Sequence, residues 1–288
     1  MSGFGGHPML RSIITLTTDF ADDLFVGVMK GVIAGINPEA RVIDLTHAVQ
    51  PGDVRAAAFA LMVSFGYFPP GTVHVVVVDP GVGTDRRILC ARTQNHLFLA
   101  PDNGVLSFAL AREEPLTVHS VENRTYFLEP VSHTFHGRDI FAPVAAHLTL
   151  GVTPEELGPQ VPLADIVRVE FPAPRAVEGG IEGEVLYIDR FGNCITNVSA
   201  ADLKDAEPAS VRIEAASLRL EGLATSYAHA DEGAPLALIG STDFLEIAAS
   251  GASAAERFGL HVGDDVTVTI QTQPQRMPPS PLEGEGQG

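Results

Sequence analysis

Positive charge is what this chain has least of. Eighteen Lys and Arg stand against 36 Asp and Glu in 288 residues, a formal charge of -18. Duplex nucleic acid and anionic membranes recruit basic patches, so neither is expected as a partner, whereas a cationic small molecule is compatible. Long apolar runs are also missing. The longest, such as AAAFALMVSFGYF (Ala56 to Phe68), are interrupted and fall short of the roughly 20 residues a bilayer span needs, so no transmembrane helix is expected. The opening MSGFGGHPMLR lacks the basic-then-apolar layout of a secretory signal. Cysteine occurs twice, as Cys90 and Cys194, in apolar strand-like runs without metal-ligand spacing, which reads as two reduced core thiols in a cytoplasmic protein. No internal repeat is present. The GxGxxG, Walker, HExxH and GxSxG signatures are absent too, which sets aside the common nucleotide-binding and hydrolase classes.

What is there is a globular composition, 45% hydrophobic, in a chain long enough for two domains. SIITLT (Ser12 to Thr17) reads as a strand and LFVGVMKGVIAGI (Leu24 to Ile36) as a helix with apolar residues at helical spacing. RVIDL (Arg41 to Leu45) is a second strand, followed by a helix from Asp53 to Phe65 with Asp53 as its N-cap. The valine run ending at Val78 is a third strand. This alternation is the signature of a parallel sheet with helices on its faces, an α/β domain over residues 12–166. Further strands are expected at Ile88 to Arg92 and His96 to Ala100, with helices after Asn103 and from Asp139 to Leu150. Residues 167–180 (VRVEFPAPRAVEGG) read as a linker. Beyond it, short β-like runs separated by turn residues predict an all-β domain over 181–273. Residues 1–11 and the tail 274–288 are expected to be flexible or disordered.

The stretch VVVVDPGVGTDRR (Val75 to Arg87) puts a carboxylate at the mouth of a core strand, with guanidinium groups one tight loop away. Ligands of an open parallel sheet bind beyond the carboxyl ends of its strands, and several polar motifs fall at such ends. TTDF carries Asp19, DLTH carries His47 and PDNG carries Asp102 and Asn103, while FHGRD, with His136, Arg138 and Asp139, opens a helix. Each alone has a plain reading, since an Asp after a strand is more often a cap or turn former than a catalyst. Convergence on one sheet edge admits two chemistries. Asp and His can bind a divalent metal for phosphoester hydrolysis, or Asp79, Arg86 and His136 can orient a water without metal. An arginine in the cluster weighs against a second cation.

TTDF, the KGVI helix, DLTH followed by PGD, VDPGVG with an arginine after it, PDNG, FHGRDIFAP and YIDRFGNCITN occur in this order. Together they resemble the S-adenosyl-L-methionine (SAM) hydrolase (adenosine-forming) family, also called SAM hydroxide adenosyltransferases, relatives of the fluorinase and chlorinase. The likeness runs from Ile13 to Ile270. It implies an N-terminal α/β/α domain with a mainly parallel sheet and a small β-barrel-like C-terminal domain. It also implies a homotrimer with SAM between the N-terminal domain of one subunit and the C-terminal domain of its neighbour. The implied reaction joins SAM and water to give adenosine and L-methionine by attack at the ribose 5′-carbon, with no metal and no cofactor, SAM being the substrate.

Position by position, the resemblance assigns catalysis to Asp79, Arg86 and His136, the ribose hydroxyls to Asp19, and the methionine ammonium to Asp23 and Asp189. It assigns adenine contacts to Phe191 and Asn193 and the methionine carboxylate to Ser241. The fluorinase has tyrosine and threonine where this chain has Asp79 and Val82, so the halide-binding hydroxyl is missing and hydroxide is indicated as nucleophile. A second departure is ASGASAAE (Ala249 to Glu256), where an asparagine-containing loop near adenine is expected and Ser250 and Gly251 would offer backbone contacts instead. In the implied mechanism Arg86 and His136 polarise the water or help deprotonate it while Asp79 orients it. The competing readings are a SAM-dependent halogenase, a SAM- or nucleoside-binding protein with negligible turnover, and a metal phosphohydrolase.

Overall fold

The computed structural model describes residues 12–21 and 24–271. The expectations for residues 1–11, Asp23 and 274–288 lie outside the described residues. The chain divides between Phe171 and Pro172 into two units.

In the first unit, the order is β1 (Ile13–Thr18), α1 (Leu24–Ile36), β2 (Arg41–Thr46), α2 (Val54–Ser64), β3 (Val73–Val77), β4 (Ile88–Arg92), β5 (Leu97–Pro101), α3 (Ser107–Arg112), β6 (Thr117–Ser120), α4 (Ala142–Thr149) and α5 (Pro154–Leu157). The sheet order is β2-β1-β3-β5-β4-β6. The first four strands run parallel, with β4 antiparallel to both β5 and β6. Alternation along β1 decides its two faces. Ile14 and Leu16 join Met29 and Ile33 of α1 and Val144 and Leu148 of α4 in one core. Helices α2 and α3 pack together and bury Phe59, Leu61 and Phe108. The valines of β3 are buried throughout, and each contributes about 1.5 kcal/mol or more by leaving water. Asp53 caps α2 as expected, accepting from Ala56 N at 2.9 Å.

In the second unit, β7 (Arg175–Val177), β8 (Gly180–Ile188), β9 (Cys194–Ser199), β10 (Val211–Ala215), β11 (Leu218–Glu221), β12 (Pro235–Ile239), β13 (Phe244–Ala249) and β14 (Asp265–Ile270), with a short helix α6 (Ala254–Phe258), build one antiparallel sheet. Its path is β11-β10-β14-β8-β9-β13-β12, with β7 on β8. The Ala224 N–H donates to Ala237 O at 2.7 Å, which draws the two ends together and nearly closes a barrel around Val185, Val198, Ile213, Ile247 and Val266. The sequence reading of an α/β/α domain followed by a small β-barrel-like domain describes these two units.

Three details differ from the sequence reading. Strand β6 was not anticipated, because TVHS is short and half polar yet pairs along β4. Within the stretch read as a linker, Arg175–Val177 pairs with β8. The helix expected from Asp139 begins as a π-helical turn over Gly137–Phe141. Both cysteines are buried and unpaired, and burial pushes the Cys90 thiol up to about 12. No helix among the described residues is long and apolar enough to cross a membrane.

Candidate active site

Strand β3 delivers Asp79 two residues past its end, and the DPGVG turn folds the chain back over it. Gly83 has φ +78°, and a β-carbon there would run into the His133 carbonyl, so only glycine lets this turn lie against the FHGRD loop. The reversal brings Arg86 onto Asp79. Arg86 Nε donates to Asp79 Oδ1 at 2.9 Å and to Oδ2 at 2.8 Å, and Nη2 closes the fork on Oδ2. The pair is nearly dry, Asp79 being 5% and Arg86 12% exposed. Asn103 Nδ2 donates to the Val78 carbonyl at 2.9 Å, which fixes the backbone immediately before Asp79.

His136 completes the chain of contacts, with Nδ1 2.8 Å from Arg86 Nη2. A guanidinium can only donate, so Nδ1 is the acceptor, the imidazole is neutral and its proton sits on Nε2. Burial pushes the His136 pKa down and the Arg86 charge pushes it further the same way. The π-helical turn after His136 accommodates Gly137, where a β-carbon would meet Met29 Sδ and the Phe135 ring at 3.1 Å. Asp139, buried behind it, is held by Arg138 and by the Ser132 N–H and anchors the loop.

Asp19 stands across a small cavity from this cluster. Its Oδ2 accepts from Gly52 N at 2.8 Å, and His47 of DLTH steadies the same loop through Thr18 Oγ1 (2.9 Å) and through its own carbonyl on Ala21 N (2.7 Å). The cavity holds about 50 Å³ and is lined by Asp19, Asp79, Val82, Phe135 and His136 among others. That is room for a few waters. Phe20, Phe25 and Phe135 pack together beside it, Phe135 meeting the other two edge to face, with centroids 4.9 to 6.0 Å apart. Sequence reasoning missed this aromatic wall, whose only signal was the Phe adjoining each of the TTD and HGRD motifs.

Arg87 goes elsewhere. It binds Asp102 Oδ2 through Nε at 2.8 Å and the Asp165 carbonyl through Nη2, while Asp102 Oδ1 accepts from Val167 N. Asp102 and Arg87 therefore clamp the segment leaving the domain and stand apart from the Asp79 cluster.

The remaining candidates lie in the second unit. Asp189 shapes the β8–β9 hairpin: Oδ1 accepts from Phe191 N at 2.8 Å and Asn193 N at 2.9 Å, and Oδ2 accepts from Asn193 Nδ2 at 3.0 Å. Phe191 sits at the tip, 77% exposed. Ser241 is exposed in the β12–β13 turn. Ser250 uses its backbone internally, its N–H on Ala234 O and its carbonyl on Gly233 N.

Residues 14–158 match the SAM hydroxide adenosyltransferase N-terminal domain, and residues 183–267 match the C-terminal domain of the same name. The chain is 39% identical over 268 residues to the (R)-S-adenosyl-L-methionine hydrolase of Thermus thermophilus, covering 88% of this chain and 98% of the relative. A fluorinase of an Actinoplanes species is 28% identical over 298 residues, covering 92% and 98%. The crystal structure of an uncharacterized conserved protein from Thermotoga maritima superposes with a TM-score of 0.83 at 37% identity, over 89% of this chain and 99% of that one.

Proposed function

The chain belongs to the SAM hydroxide adenosyltransferase family, and from that premise we propose that it hydrolyses SAM to adenosine and L-methionine. The observation that carries the reading is the Asp79–Arg86–His136 chain of hydrogen bonds at the wall of a water-sized cavity. A sulfonium leaves without protonation, so the protein's task is to aim a water at C5′ and make it nucleophilic. The water oxygen bonds C5′ while the C5′–S pair withdraws onto sulfur, which becomes the thioether of methionine. His136, with Nδ1 occupied by Arg86 and its proton on Nε2, has no free lone pair to deprotonate the water as the sequence reading allowed, and instead offers its Nε2 proton to orient it. Asp79 is the group in the cluster able to accept the water's proton, and the Arg86 charge favours the hydroxide that develops.

The donor set supports a reaction without metal, because the cation beside Asp79 is Arg86. Val82 on the cavity wall supports water over halide, since it offers no hydroxyl to an anion and Asp79 adds a negative charge. Asp19 is assigned to the ribose hydroxyls, Phe191 and Asn193 to adenine, and Ser241 to the methionine carboxylate. The cavity beside the triad is far below the roughly 300 Å³ of a typical ligand pocket. This supports the further proposal that a homotrimer completes the site, with a neighbour's C-terminal domain closing on the substrate. A reducing, cytoplasmic location fits the two unpaired thiols.

Chromatography of SAM incubated with the purified protein tests the reading, with and without chelator and chloride. Equal amounts of adenosine and methionine, indifferent to both additives, are expected. A 5′-halogenated nucleoside would transfer the chain to the halogenases. Saturable SAM binding without product would make it a binding protein, and loss of activity with chelator would overturn the metal-free mechanism.

A further inference from the structure

Two motifs have no role in the chemistry proposed above, KGVI on α1 and DLTH at the end of β2, and they meet beside the turn that carries Asp19. Lys30 Nζ donates to Asp44 Oδ2 at 2.6 Å. The other carboxylate oxygen, Oδ1, lies 3.0 Å from His47 Nε2, within ion-pair distance although out of line for a full hydrogen bond. On its inner side the imidazole places Nδ1 2.9 Å from Thr18 Oγ1, which in turn accepts from Phe20 N at 3.2 Å, a bond that spans Asp19. The series runs from the surface, where Lys30 and Asp44 are 38% and 40% exposed, to a fully buried threonine. Asp44 and His47 are three apart, a spacing that sends side chains of a regular strand to opposite faces. The register of β1 on β2 slips by one between Leu16 and Thr17, whose partners are Asp44 and Thr46, and the extra residue lets His47 share a side with Asp44.

The turn this series reaches is strained. Ala21 has φ +53°, a left-handed conformation that alanine keeps only where its surroundings hold it. The His47 carbonyl accepts from Ala21 N at 2.7 Å, so one residue holds the turn at both ends, by its side chain on Thr18 and by its backbone on Ala21. A carboxylate oxygen facing Nε2 calls for a proton on that nitrogen, which leaves Nδ1 as acceptor for the Thr18 hydroxyl. We infer that His47 is a positioning residue for substrate binding: Lys30 and Asp44 fix its tautomer, and it fixes the turn so that the Asp19 carboxylate is aimed before substrate arrives. The inference rests on the assignment of Asp19 to the ribose hydroxyls in the hydrolase reading.

The test separates the two ring nitrogens in the full-length protein. His47→Asn keeps a polar atom at the Nδ1 position for Thr18, whereas His47→Gln keeps one near Asp44 and abandons Thr18. The readout is the ratio of calorimetric dissociation constants of 2′,3′-dideoxyadenosine and adenosine, which reports the grip on the ribose hydroxyls and needs no turnover. A ratio of about 100 is expected in the wild type, falling to near 1 in Asp19→Ala. His47→Gln should lower the ratio by about tenfold, and His47→Asn and Lys30→Met by about threefold or less. Lys30→Met carries the test if the Gln variant does not fold, through a measurable fall in the ratio. A general loosening of the fold weakens both nucleosides alike and leaves the ratio unchanged. An unchanged ratio in His47→Gln, or an equal fall in His47→Asn and His47→Gln, would overturn the inference. A ratio that Asp19→Ala leaves at the wild-type value marks failure of the ribose reading and takes the inference with it. Failure of the hydrolase reading alone looks different: SAM stays intact while the expected pattern of ratios holds, which supports the inference for a protein that binds without turnover.

Discussion

The two units treat their polar residues in opposite ways. In the N-terminal unit Asp79, Arg86 and His136 satisfy one another, nearly dry, on loops fixed by parallel strands and by the Asn103 bond to Val78. In the C-terminal unit the candidate groups ride on hairpins, with Phe191 exposed at the β8–β9 tip and Ser241 exposed in the β12–β13 turn. The first arrangement is ready before anything binds, which is what aligning a water demands. The second has bonding capacity left over, as a recognition surface has before its ligand arrives. On the proposed reading the contrast divides most of the work, with the chemistry in the N-terminal unit and, apart from Asp19, the grip on substrate in the C-terminal one.

The division can be broken from either side. Asp79→Asn removes charge from the prearranged cluster and should lower kcat by about 10³ while KM changes little. Steady-state kinetics alongside a melting curve separates this from unfolding. The neighbouring arginines sharpen the point. Arg86→Gln should cost about 10² in kcat. Arg87→Gln, which only loosens the Asp102 clamp, should keep kcat and lower stability by about 1–3 kcal/mol in denaturant titration. On the gripping side, Phe191→Ala should raise KM by about tenfold with an unchanged melting temperature, because an exposed ring carries no core packing.

The smallest effect concerns pH. His136 is neutral when folded and its pKa lies below the ordinary 6.5. As pH falls below 6.5, the unfolded chain takes up the proton first and the folded state loses stability relative to it. Activity should hold until pH passes through the lowered value, where an imidazolium would face Arg86 N–H against N–H. The acid limb of kcat should therefore lie below 6.5. A limb above that value would contradict the Nδ1-acceptor geometry.

Much of the N-terminal unit was legible in the sequence, because its strands are apolar runs ending in polar motifs and its helices carry apolar residues at helical spacing. Asp19 and Asp79 could be placed at strand ends and Arg86 and His136 in the loops beside them, while their roles came from the resemblance. The strand pattern alone did not separate Arg86 from Arg87, and only the resemblance pointed to Arg86. Residues in sequence at the start of an extended segment point to opposite sides, and only the fold shows which one meets Asp79. Strand β6 was masked by its polar residues, and β7 by the proline, glycine and charge around it.

The central claim is that the Asp79 cluster delivers water to C5′. Reaction of SAM in ¹⁸O-labelled water, followed by mass spectrometry of both products, tests it most directly. The account predicts one labelled oxygen in the 5′-hydroxyl of adenosine and none in methionine, with the rate of label uptake lowered about 10³-fold in Asp79→Asn. Unlabelled adenosine, or label carried by the methionine fragment, would contradict it.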